Sequence, residues 1–147
     1  MAAAPTEQRI KAAATAREQL SEHQESEHAL TKFAALLEPN PRSVLRFTMA
    51  FDILRAARLT EGRPIPADRL ALWAIITTRW PALADFLQRR PDAVRLFLSR
   101  DDALADPVPT DPRALFANPG PEIRAVFNHS EGGPVTADVI RECSGVA

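Results

Sequence analysis

Tyrosine is missing from this 147-residue chain, and cysteine occurs once, as Cys143. A lone cysteine excludes an internal disulfide and leaves no thiolate cluster for a structural metal. Glycine is scarce: five residues, at 62, 120, 132, 133 and 145, none grouped into a loop that could cradle phosphate ahead of a Lys-Ser/Thr pair. Lysine is scarcer still, because of 18 basic residues only Lys11 and Lys32 are lysines, and neither follows a glycine loop. The chain therefore cannot hold a nucleotide in the phosphate-loop manner on its own. An excess of charge of one sign is also lacking. The net charge of −1 supplies no field for nucleic acid or a membrane surface. No apolar run approaches a membrane span, and the N-terminus has no signal-peptide hydrophobic region, so the cytoplasm is the expected location. The preference for Arg and Ala reads as the imprint of a GC-rich genome.

What is present suits a globular, helical chain. Hydrophobic residues make up 46% and charged residues 25%, the ordinary balance of a packed domain. The expected fold is all-α: a compact multi-helix domain behind a long N-terminal helix. Residues 1–38 read as that helix, a linker or association segment; 39–100 as the helical core; 101–147 as a proline-rich connection with C-terminal helices packing on the core. In the first segment Ile10, Ala13, Ala14 and Leu20 form a thin stripe, and Leu30, Phe33, Ala34 and Leu37 a better one. Residues 21–28 between them are polar on every side, which predicts a stretch that is solvated or bridges between packed ends. Pro39 and Pro41 stop this helix at about residue 37. A second helix is predicted over 41–59, with Val44, Phe47, Phe51 and Leu54 as its buried stripe and Arg58 at the next position of the same spacing. A third, over 67–79, is apolar nearly all round and so central. Pro81 and Pro91 open a fourth and a fifth, the latter with Phe97 and Leu98. A short turn over 111–116 and helices over 122–128 and 136–142 complete the series. The Gly132-Gly133 turn, flanked by Val126-Phe127 and Val135, leaves room for a small hairpin or wing.

Chemistry-bearing constellations are few. His23 and His28 are five residues apart among glutamates, off the i,i+4 spacing of a helical zinc pair, so no metal site is expected. Cys143 with His129 lacks a third, orienting group, and Asp101, Asp102 and Asp106 suit helix caps or solvated loop charges better than acid–base work. No catalytic residue and no cofactor are expected. The segment Asn40-Pro41-Arg42-Ser43-Val44-Leu45-Arg46-Phe47 stands apart. Asn40 can cap a helix, Pro41 suits its first position, and Arg42 and Arg46 then share one face of the first two turns. The helix dipole mildly disfavours cations there, which suggests a phosphate, a carboxylate or an acidic partner surface as the reason for them. Asn40, Arg42 and Arg46 are the candidate phosphate- or partner-binding residues.

The order of features resembles the C-terminal helical region of bacterial KAP-type P-loop NTPases. The Asn40-to-Phe47 start is followed by a helix ending Leu54-Arg55-Ala56-Ala57-Arg58-Leu59. Leu70-Ala71-Leu72-Trp73 then leads to Arg79-Trp80-Pro81, and Gly133-Pro134-Val135-Thr136-Ala137 to Ile140-Arg141. The likeness covers about residues 36–141. It implies a helical lid or sensor beside a nucleotide, with Arg42 on the phosphate side and Arg46 its neighbour, in a chain that carries no NTPase core of its own. The expectation is a non-catalytic protein–protein interaction or lid module whose partner is an NTPase core or a second copy of itself. Two other classes stand beside it. A winged-helix-like protein would turn Arg42, Arg46, Arg55 and Arg58 toward nucleic acid, against its net charge. A small-ligand binder would use a pocket along the third helix.

Overall fold

The computed structural model describes residues 4–95 and 121–145. Within them lie α1 (Ala4–Phe33), a 3-10 turn (Ala34–Leu36), α2 (Pro41–Thr60), α3 (Ala67–Arg79), α4 (Pro81–Arg89), a 3-10 turn (Pro91–Val94), α5 (Pro121–Phe127) and α6 (Ala137–Ser144). No strand occurs among the described residues, and the fold is all-α with a long N-terminal helix. Of the expected fifth helix, the start at Pro91–Val94 is a 3-10 turn, and the part with Phe97 and Leu98 lies outside the described residues, as does the turn at 111–116.

Prolines punctuate the series as their chemistry requires. Pro41, Pro81 and Pro91 each occupy the first turn of their element, where a missing N–H removes no intrahelical hydrogen bond. α1 ends earlier than residue 37: at Phe33 the chain tightens into 3-10 geometry, and Leu37 N–H donates to the Ala34 carbonyl at 3.1 Å. This last turn lets Phe33 and Leu37 both reach the core, where both are buried.

α3 is the hub. Leu70 through Ile76 are all buried, and the helix packs against α1, α2, α4, α5 and α6. Around it close Phe33, Phe47, Phe51, Leu83, Leu87, Phe127 and Ile140, none with measurable exposure. Each such side chain contributes about 1.5–3 kcal/mol by leaving water. Polar ties hold the periphery to this hub. Arg79, at the end of α3, donates from Nη1 to the Leu36 carbonyl and from Nη2 to Glu122 of α5, both at 2.6 Å. Its guanidinium lies 4.5 Å over the Trp80 ring, so the Arg79-Trp80-Pro81 segment works as a structural clamp. Lys32 of α1 reaches Asp68 of α3 at 2.6 Å.

The hairpin or wing does not form. Val126 and Phe127 belong to α5, and Pro134 has no N–H to extend a ladder. One backbone bond, Val135 N–H to the Phe127 carbonyl at 2.9 Å, closes a helix–loop–helix instead. The Gly132-Gly133 turn lies tight on the hub: a Cβ at Gly132 would meet Leu72, and Gly133 has φ 75°.

Of residues 21–28, read as solvated or as bridging between packed ends, six are exposed and two, Glu25 and Ser26, tie α1 to α2. Ser26 is buried and donates to Asp52 of α2 at 2.5 Å, and Glu25 pairs with Arg55 at 2.8 Å. These contacts begin the α1–α2 interface, which continues through Ala29 and Leu30. N-terminal to it, every residue from Thr6 to Gln24 is exposed.

Candidate functional site

α2 positions the candidate residues. Asn40 is extended (φ −141°, ψ 147°) and its Oδ1 accepts from Ser43 N–H at 2.7 Å, the geometry of a side-chain N-cap. Its amide donates to Glu38 at 3.1 Å. Asn40 is therefore spent on the helix itself. With Pro41 carrying no N–H and Ser43 N–H already taken, the α2 terminus keeps little donor capacity for an external anion.

Arg42 and Arg46 stand exposed, and neither side chain makes a hydrogen bond or ion pair among the described residues. The structure separates them from the other two arginines of α2. Arg55 is bound to Glu25 across the α1 interface. Arg58 is 7% exposed and donates from Nη2 to Glu61 at 2.9 Å. Of the four arginines of α2, two are thus engaged within the chain.

Between and beyond Arg42 and Arg46 runs a feature that the sequence reading passed over. Leu45, Met49 and Ile53 are 60%, 55% and 65% exposed, and Leu59 49%. The first three follow at i, i+4, i+8, and so line one face of α2 beside the two arginines. This face is opposite the Phe47–Phe51 stripe. The signal was available as a second apolar spacing in the same helix. The strip is apolar and exposed, and the two arginines that edge it have no hydrogen-bond or ion-pair partner among the described residues.

The remaining candidates give chemistry less support. Cys143 is fully buried, and burial first, then the neighbouring Glu142 carboxylate, push its thiol from 9.0 up to about 12, against the smaller opposing pull of Arg69 and Arg58. Such a thiol is protonated and inert at neutral pH. His129 is taken up elsewhere: Nδ1 accepts from Gly132 N–H at 3.4 Å, and the ring meets Phe33 edge-on at 5.1 Å. His23 pairs with Glu27 at 3.2 Å on the surface of α1. No group of three metal-binding side chains occurs among the described residues, and no helix among them is long and apolar enough to cross a membrane. The third helix presents packed core where a ligand pocket would need a void. Two open clefts lie at the surface. One, of about 610 Å³, runs between α1 and α2; the other, of about 500 Å³, is walled by Arg63, Arg69 and Glu142. In comparison with known proteins, the chain matches no family model, no curated protein and no solved structure.

Proposed function

We propose that this chain is a non-catalytic helical module that acts by protein–protein contact, with the outer face of α2 as its docking surface. The observation that carries this reading is the exposed Leu45–Met49–Ile53 strip beside Arg42 and Arg46, which have no partner among the described residues. Three large side chains left in water forgo about 1.5–3 kcal/mol each. Two free guanidiniums at one end of the strip fit carboxylates at the rim of a partner's apolar groove. The partner is then a protein surface with an apolar centre and an acidic edge. The resemblance to the helical region of KAP-type NTPases makes an NTPase core the first candidate.

A photo-crosslinking side chain at Met49 tests it in the native cell. It should join the chain to one discrete polypeptide, and Arg46→Glu should remove that product while leaving the melting temperature unchanged. Diffuse labelling, or a product indifferent to Arg46→Glu, would overturn the docking face. Turnover of ATP or GTP by the purified chain would overturn the non-catalytic part.

A further inference from the structure

We infer that α1 carries a second, separate interface: two copies of this chain associate antiparallel through the exposed N-terminal arm of α1. The arm is a continuous helix that runs beyond its own body, with Thr6 to Gln24 exposed throughout. Most helical stability in proteins comes from tertiary packing of one face, and this arm receives no burial from its own body. Its sequence shows which face a partner would cover.

Positions 9, 13, 16, 20, 23 and 27 follow the alternating four-then-three spacing of a coiled-coil seam. They hold Arg9, Ala13, Ala16, Leu20, His23 and Glu27. Leu20 is 62% exposed, and the side chains of His23 and Glu27 are 73% and 67% exposed. The seam reads as poor in a parallel pair, where Arg9 would face Arg9 and Glu27 would face Glu27. Run antiparallel, with position sums constant, it becomes complementary. Arg9 meets the partner copy's Glu27, Ala13 meets His23, and Ala16 meets Leu20. Each large side chain then faces a small one, and each cation an anion, twice by symmetry.

The rest of the surface agrees. His23 and Glu27 also line the cleft between α1 and α2, whose other acidic groups are Glu22 and Asp52. Its one arginine, Arg55, is already paired with Glu25. The cleft is thus acidic. Arg9, unpaired within the chain among the described residues, lies on the seam and Arg17 flanks it at about 80°, while Glu7 and Glu18 project well away from it at 100° per residue. A straight helix cannot fold this arm back into its own cleft, so a second copy supplies the fit. The contact lies on α1 and leaves the α2 docking strip unused, so the two proposals stand or fall separately.

Sedimentation equilibrium on the full chain decides it. The expected mass is twice 16.1 kDa at about 100 µM, a concentration that populates even a weak homodimer. Leu20→Lys should give a monomer with unchanged helical circular dichroism in the body. Arg9→Glu should weaken association by about tenfold, and adding Glu27→Arg to the same chain should restore it, since only opposed positions exchange charge in this way. A monomer at that concentration, a dimer indifferent to Leu20→Lys, or a charge swap that fails to rescue would each overturn the antiparallel arm.

Discussion

Arg58 and Cys143 show how one residue's surroundings decide its chemistry. Arg58 falls at the next step of the Val44–Phe47–Phe51–Leu54 spacing, and the structure honours the spacing over the charge. The guanidinium is buried against Gly145 at the end of α6, where the helix dipole favours a cation. Gly145 has φ 72°, and any Cβ there would strike Arg58, so two constraints require glycine. Nε and Nη1 of Arg58 have no hydrogen-bond partner among the described residues. Its aliphatic stem and desolvated head therefore oppose each other. Arg58→Met, which keeps the stem and removes the charge, should change stability by less than about 1 kcal/mol, whereas Arg58→Ala should cost about 2–3 kcal/mol through lost packing. Urea unfolding of the pair measures the difference. Cys143 gives a pH signature. Its folded pKa, about 12, lies above its ordinary 9.0, so the native state retains a proton that the unfolded chain releases. Stability from this thiol is complete below pH 9 and falls between pH 9 and 12, by at most about 1.4 kcal/mol per pH unit. Thiol-specific reagents at pH 8 should leave Cys143 unmodified in the folded chain and modify it promptly in denaturant; rapid labelling of folded protein would contradict the burial.

Among the elements, α2 divides its opening motif into structure and surface. Asn40 caps; Arg42 and Arg46 are exposed and make no side-chain hydrogen bond or ion pair among the described residues. Asn40→Ala should therefore lower stability by about 1 kcal/mol, while Arg42→Ala and Arg46→Ala stay within about 0.5 kcal/mol. Thermal melts of the three variants would separate the roles. The helix series was largely legible because proline and apolar spacing are local signals: α3 spans Ala67–Arg79 as its periodicity predicts, and Thr136 caps α6 by accepting from Val139 N–H. The hairpin was misread because Gly-Gly beside β-branched residues says little about what pairs with it; packing on Leu72 decides. The outer strip of α2 was missed for another reason. A helix with apolar residues at 44, 47, 51 and 54 and again at 45, 49 and 53 has two apolar faces, and spacing alone does not say which one the core takes.

For the molecule as a whole, burial is uneven along the chain. The hub helix is sealed on all sides, whereas α1 passes from full exposure at Thr6 to full burial at Phe33 within a single element. That gradient separates a part that holds the fold from a part free to meet other molecules, and nothing in the composition announced it. The Lys32–Asp68 contact adds a practical consequence. With one lysine half-buried and held by a carboxylate, amine-directed chemistry on side chains is steered to Lys11, which stands exposed on α1. A chip, bead or fluorophore coupled through lysine thus takes the molecule by its N-terminal arm. The immobilised molecules are then held through α1, with the arm consumed by the tether.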